Sequence, residues 1–323
     1  MSSRQKMSLT LEHLQTLVPA KFSSEPPQHI SSLTYSSNGE QMILTTSEDA
    51  IFLYDITTGM RSRSVNSKKY GCGYIQFAAN GGCALHSSTK VDNTVRYLSL
   101  SDNKYLRYFQ GHTEKVTGLS VSPLDDLFLS VSLDKTIRLW DLRSYQCMGI
   151  MNVQSTPLAT FDPEGLLFAA AMNNSVIKLY DIRSFEKGPF LSFQMPEVPN
   201  VHWTTMRFSP CGKYILVTTN SDVVYLIDAF TGEMKHTLTG HENVDHIPLS
   251  ASFSPDSQFV MCGSSKKSLV FWDTESGKVV QELPSPHELT PHIAEFNPRY
   301  LSVASAEQKL ILWCPSDDIS RLT

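Results

Sequence analysis

Several things are scarce in this chain, and each scarcity removes a class of protein. The six cysteines, Cys72, Cys83, Cys147, Cys211, Cys262 and Cys314, are scattered through 323 residues without a CxxC pair. That excludes a dense disulfide framework and a paired-cysteine zinc site, and it suits a reducing compartment. Long hydrophobic runs are missing: the longest, GLLFAAAM at 165–172, is far shorter than the roughly 20 residues that span a bilayer. The opening MSSRQKMSLTLEHLQTLVPAKF has no continuous apolar stretch of the secretory kind, so the sequon at Asn173-Asn174-Ser175 is expected to go unused. An excess of positive charge is missing as well. The 27 Lys and Arg against 32 Asp and Glu leave a net charge of −5, without the basic footprint of a dedicated nucleic-acid binder. The expected setting is cytoplasm or nucleus, with no membrane and no direct nucleic-acid binding.

Enzyme signatures are also missing. GCGYIQF (71–77) begins like a dinucleotide loop but has neither the third glycine nor a following helix. There is no GxxxxGK[ST] and no HExxH. The ten histidines are dispersed, and His86, His236 and His292 fit blade or surface positions better than a metal site. No catalytic residue, metal or cofactor is expected.

What the chain has instead is a period. Strand-like segments recur as AIFLYDITTG (50–59), TVRYLSL (94–100), TIRLWDLRS (136–144), VIKLYDIRS (176–184), VVYLIDAFTG (223–232), LVFWDTESG (269–277) and LILWCP (310–315). Their matched residues are Tyr54, Leu98, Trp140, Tyr180, Ile227, Trp272 and Trp313, at steps of 44, 42, 40, 47, 45 and 41. A turn signal precedes each, among them SSNGE (36–40), AANGG (78–82), SPLDD (122–126), DPEGL (162–166) and SPDSQ (254–258). From Ser37 to Tyr54, Pro123 to Trp140, Pro163 to Tyr180, Pro210 to Ile227 and Pro255 to Trp272, the distance is always 17 residues. A repeat of roughly 40–45 residues holding four short strands is the signature of a propeller blade.

The predicted fold is therefore all-β, a single seven-bladed WD-repeat β-propeller over residues 11–315. Blade cores fall at 30–59, 73–103, 111–147, 157–185, 201–232, 240–277 and 292–315, with 1–10 and 316–323 as tails. The last unit supplies only three strands before the chain runs out, and an open sheet edge invites aggregation. Residues 11–24, containing LQTLVPAKFSS (14–24), are the one spare segment. They are expected to close the ring as the outer strand of blade seven.

Blade three carries the residue types of a buried hydrogen-bonded set: His112, Ser130 or Ser132, Asp134 and Trp140. The same types spell a hydrolytic triad, but a triad needs an exposed nucleophile and an oxyanion site. These positions fall inside a packed blade, so the set is expected to be structural. Asp92 and Thr94 match Asp134 and Thr136 although Leu98 replaces the tryptophan, and blade six has Lys266 where Asp134 sits.

Residues 90–112 (KVDNTVRYLSLSDNKYLRYFQGH), 122–144 (SPLDDLFLSVSLDKTIRLWDLRS) and 161–190 (FDPEGLLFAAAMNNSVIKLYDIRSFEKGPF) resemble one family closely. It is the Swd-two type, the WD-repeat subunit of the COMPASS histone lysine methyltransferase complex. SKKYG (67–71), WTTMRFSPCGKYIL (203–216), LIDAFTGEMKHT (226–237) and ASFSPDSQFVMCGS (251–264) extend the resemblance over most of residues 30–315. It implies a nuclear, non-catalytic subunit, a monomer within a hetero-complex. Such a subunit holds an extended segment of a SET-domain methyltransferase and connects it to transcribing RNA polymerase II. The same family also serves cleavage-and-polyadenylation and type-one protein phosphatase assemblies in transcription termination, where a phosphatase-targeting subunit would be the partner. The sequence departs from the family at 1–30, at EVPNVHW (197–203) and at KKSLVF (266–271).

Two surfaces are candidates for partners. In a propeller the loops between blades and the turns between second and third strands share one rim. Lys68, Lys69 and Tyr70 fall in such a loop; Lys90, Lys135, Lys266 and Lys267 fall in or beside such turns, and Lys115 lies near His112. Lysines gathered on one rim of an acidic protein would attract an acidic or phosphorylated tail, such as that of RNA polymerase II. Glu48, Asp49, Glu114 and Glu242 would offset them. The second surface is WDLR, Trp140, Asp141 and Arg143, echoed by Tyr180, Asp181 and Arg183. It resembles the box with which some propellers dock on the cullin-four ubiquitin ligase adaptor, and would make the chain a substrate receptor. The alternative is that Asp141 and Arg143 order their own corner of the blade.

Overall fold

The computed structural model describes residues 8–23, 28–79 and 81–316. Residues 1–7 and 317–323 of the expected tails, Ser24 at the end of the expected closing strand, and Asn80 in the AANGG turn lie outside the described residues. The described residues form seven four-stranded antiparallel sheets, the blades of a β-propeller.

Six blades are four consecutive strands each. Blade three is Val116–Val121, Leu127–Ser132, Thr136–Asp141 and Cys147–Asn152, from the inner strand outward. The register explains the constant spacing in the sequence. Tyr54 lies opposite Met42, Trp140 opposite Phe128, Tyr180 opposite Phe168, Ile227 opposite Ile215 and Trp272 opposite Val260. Each matched residue thus caps a fixed hairpin of inner turn, second strand, turn and third strand. The outer strands Met60–Asn66, Lys104–Phe109, Leu191–Gln194, Met234–Leu238 and Val279–Pro284 all lie past the ends of the expected blade cores, and Cys147–Asn152 begins on the last residue of its own.

The apolar core is a set of layers between neighbouring blades. Phe109 of blade two packs with Phe128 and Trp140 of blade three, and Trp203 of blade five with Leu179 of blade four. Trp140, Trp272 and Trp313 are among the largest fully buried side chains, each contributing roughly 1.5–3 kcal/mol relative to exposure.

Blade seven is closed from the other end of the chain. Ile293–Phe296, Val303–Ala306 and Leu310–Pro315 are joined by the outer strand Leu17–Phe22. Leu17 pairs with Pro315 and Phe22 with Ile311, with an irregularity between Pro19 and Lys21. Proline has no N–H for the ladder and is tolerated on an outer strand. The expected closing strand over 11–24 is shorter than anticipated, because Leu11–Gln15 is a helical turn. The Thr10 hydroxyl accepts from the His13 amide and the His13 ring accepts from the Thr10 amide, the reciprocal cap that starts a helix. That turn drives Leu14 into the layer between blades six and seven, against Met261, Phe271 and Trp313. Leu9, assigned to a tail, is also buried, and its N–H donates to Asp256 Oδ2 at 2.6 Å.

Candidate functional site

The blade-three set is assembled as a directed chain. The Trp140 indole N–H donates to Ser130 Oγ at 2.8 Å, and Ser130 lies 2.7 Å from His112 Nε2. His112 Nδ1 lies 2.8 Å from Asp134 Oδ2. One tautomer satisfies every atom: Ser130 donates to Nε2 while Nδ1–H donates to the carboxylate. Asp134 also accepts from the Thr136 hydroxyl at 2.7 Å and the Thr113 amide at 3.0 Å. Burial opposes its ionisation, but the Thr136 and His112 contacts and the Thr113 amide outweigh it and pull the carboxyl to about 2. Burial pushes His112 below its ordinary value despite the carboxylate beside it. Ser132 stands apart from this chain, donating to Glu114 O at 2.9 Å and accepting from the Asp134 amide. Ser130 and the His112 side chain are fully buried, so the hydroxyl cannot meet a substrate.

Blade seven holds a second such set that the sequence did not reveal. His287 Nε2 and the Trp313 indole N–H both reach Ser305 Oγ at 2.8 Å, with Glu307 3.6 Å from His287 Nδ1. In blade six the set is broken. Trp272 donates to Thr239 O instead, and neither ring nitrogen of buried His241 has a hydrogen-bond partner among the described residues. Lys266, at the acidic position, turns outward to Glu242 at 2.9 Å. In blade two, Asp92 caps the Thr94 amide at 3.2 Å, as Asp134 caps Thr136, but otherwise binds Arg96 at 2.6 Å.

All the candidate lysines project from one rim, but not from one place. Lys68, Lys69, Lys90, Lys115 and Lys135 follow one another along the arc from the end of blade one to blade three. Lys266 and Lys267 lie in blade six, on the far side of the ring. Lys90 pairs with Asp49 and Lys266 with Glu242. Lys68, Lys69, Lys115, Lys135 and Lys267 are exposed and make no ion pair among the described residues. Lys135 and Lys267 sit at φ of 61° and 60°, left-handed positions that asparagine or glycine occupy at lower cost.

The loop carrying Lys68, Lys69 and Tyr70 is held rigidly. Ser67 O accepts from the Tyr70 and Gly71 amides, and the Ser67 hydroxyl contacts Gly71 O and the Tyr105 hydroxyl at 3.1 Å each. Gly71 has φ +72°, and a β-carbon there would collide with Thr89 Oγ1. Beneath the loop the Arg96 guanidinium lies 3.6 Å from the Tyr70 ring centre, with Tyr105 and Tyr108 at 5.7 and 5.1 Å. Arg96 is itself buried, fixed by Asp92 and by Ser88 at 2.8 Å. Local sequence gives no sign of this tyrosine–arginine support, because it joins the loop to two other strands of blade two.

The WDLR stretch is divided by burial. Trp140 and Tyr180 are interior, while Arg143 is exposed and held by Asp141 at 2.8 Å. The Asp141 carboxylate also accepts from the Arg143 amide at 2.7 Å, and Asp181 accepts from the Arg183 amide at 2.8 Å. These aspartates therefore cap the turn after the third strand.

Seven blades, a His–Ser–Asp–Trp set and rims built of turns define a WD-repeat β-propeller. The family model for the WD domain, G-beta repeat matches residues 103–141 and 232–273. Each match starts at an outer strand and runs through the first three strands of the next blade, so the sequence repeat staples neighbours together. WD repeat-containing protein 82 of Drosophila melanogaster is 47% identical, with 97% of this chain and 99% of the fly protein covered. Set1 complex component swd2 of Schizosaccharomyces pombe is 35% identical, covering 95% and 99%. COMPASS component SWD2 of Saccharomyces cerevisiae is 32% identical, covering 93% and 94%. The chain belongs to the Swd2/WD repeat-containing protein 82 family.

Proposed function

We propose that this chain is a non-catalytic scaffold subunit of a nuclear chromatin complex of the COMPASS type. In that role it holds an extended segment of a SET-domain histone lysine methyltransferase and links it to transcribing RNA polymerase II. The observation that carries the reading is similarity along nearly the whole chain to relatives named as Set1 complex and COMPASS components. The burial of Ser130 and His112, and of Ser305 and His287 in blade seven, supports a non-catalytic role, since neither triad-like set has access. The rigid Lys68-Lys69-Tyr70 loop and its neighbours Lys115 and Lys135 supply a preformed basic arc for an acidic or phosphorylated segment. The structural role of Asp141 accounts for the WDLR stretch without a ligase adaptor.

The test is affinity purification of the tagged protein from nuclei at two salt concentrations, followed by mass spectrometry. Recovery of a SET-domain methyltransferase with other propeller subunits is the expected outcome. Recovery of a phosphatase and cleavage factors without the methyltransferase would place the chain in a termination assembly and overturn the first assignment. Recovery of the cullin-four adaptor, abolished by Arg143→Ala with Arg183→Ala, would make it a substrate receptor.

A further inference from the structure

The rim opposite the lysines is formed by the turns between first and second strands, backed by those between third and fourth. Leu142 N–H donates to Asp126 O at 2.7 Å and Ile182 N–H to Leu166 O at 3.1 Å, tying the two kinds of turn together in blades three and four. In these blades the inner turns read SPLDD (122–126) and DPEGL (162–166), and they differ in chemistry from the rest of the ring. Each pushes a leucine into solvent: Leu124 is 68% exposed and Leu166 45%. Every charged side chain in the two turns is acidic. The matching turns elsewhere read SPCGK (209–213) and NPRYL (297–301), which carry a base, or SSNGE (36–40), AANGG (78–82) and SPDSQ (254–258), which contain no leucine.

The two turns abut and are stiff. A β-carbon on Gly165, at φ +66°, would stand 3.3 Å from Leu124 Cβ. Ser122 Oγ accepts from the Asp125 amide at 3.2 Å, and Asp162 Oδ1 accepts from the Leu166 and Leu167 amides at 2.8 Å. The Asp162 carboxylate is thus consumed inside its own turn, while Asp125, Asp126 and Glu164 face solvent. The nearest guanidinium, Arg143, is held by Asp141 at 2.8 Å and stands 3.9 Å from Asp126; Arg183 is exposed at the outer margin.

We infer that the blade-three and blade-four turns form a second docking surface, for a basic, leucine-bearing peptide segment of another protein. Two exposed leucines on turns that abut at Leu124 and Gly165 offer an anchor for apolar groups. The carboxylates around them select arginine or lysine flanks and raise the association rate. The same carboxylates repel an anionic membrane and a second copy of this face, which a two-fold dimer would bring against itself. This inference goes beyond the lysine rim: the two mouths of the ring take partners of opposite charge, so one propeller bridges two segments.

The test uses the full chain and a short fluorescein-labelled peptide of alternating leucine and arginine, read by anisotropy. Saturable binding is expected, weakened at least about tenfold, or 1.4 kcal/mol, by Leu124→Ser with Leu166→Ser. Asp125→Asn with Glu164→Gln should flatten its salt dependence, while Lys68→Glu with Lys69→Glu leaves binding unchanged. All these positions are exposed, so melting temperatures confirm that each variant folds; Glu164→Gln alone serves if a double variant does not. The inference is overturned by absence of saturable binding, or by equal binding to the leucine variants. Binding of a leucine–glutamate peptide or of phosphatidylserine vesicles through the same residues would also overturn it. So would a dimer that Leu124→Ser with Leu166→Ser dissolves. None of these outcomes depends on which complex the chain serves.

Discussion

At the scale of residues, the buried polar sets show how one substitution propagates. Ser130 Oγ is shared between an indole N–H and an imidazole nitrogen, so Ser130→Ala strands two buried groups. Removing a partner from a buried polar group costs about 1–3 kcal/mol each, so a loss of about 2–6 kcal/mol is expected in urea unfolding. Asp134 adds a pH dependence whose sign follows from its depressed carboxyl. Its contribution is complete above the ordinary 3.8 and disappears as pH falls through about 2. The melting temperature of the wild type should therefore fall more steeply across that window than that of Asp134→Asn; parallel profiles would refute the assignment. The blade-three set was legible because its residues follow the common spacing. The blade-seven set was not. Ser305 precedes Trp313 by 8 residues where Ser130 precedes Trp140 by 10, and Glu307 replaces aspartate. A shorter turn with a longer acid rebuilds the tryptophan–serine–histidine contacts but leaves Glu307 3.6 Å from His287 Nδ1, and no local spacing displays that arrangement.

At the scale of elements, the closing segment does two jobs. Leu17–Phe22 covers the open edge of Leu310–Pro315, and the preceding turn plants Leu14 between blades six and seven. Deleting residues 11–24 is expected to give aggregated or unfolded protein by size exclusion; a soluble species with a cooperative melt would contradict the closure. Leu14→Ala separates the two jobs, since the strand survives while a fully buried leucine is lost, at about 2–4 kcal/mol. The turn lysines give a change of opposite sign. Lys135→Asn relieves a left-handed lysine and is expected to raise stability by about 0.5–1 kcal/mol in denaturant unfolding. If the basic arc binds an acidic segment, the same change weakens that binding, so stability and affinity move apart.

At the scale of the whole molecule, the ring decides which lysines act together. Charge reversal of Lys68 and Lys69 should remove most of the salt-sensitive binding of an acidic partner segment, measured by titration at two ionic strengths. Reversal of Lys266 and Lys267, across the ring in blade six and with Lys266 paired to Glu242, should change it far less. Equal effects would mean a partner that spans the whole rim. The sequence alone determined the number of blades, the turn-to-turn spacing and the family, because each blade is a local, repeated solution to burying two faces of a small sheet. It also held the need for a closing strand, since six outer strands were present for seven blades. Only the tertiary structure decided which charges share an arc and that a helical turn precedes the closing strand. It alone brought Leu124 against Gly165 in the next blade and set Arg96 beneath Tyr70. Those facts depend on neighbours brought together by the curvature of the ring, and a linear pattern of strands carries no record of that curvature.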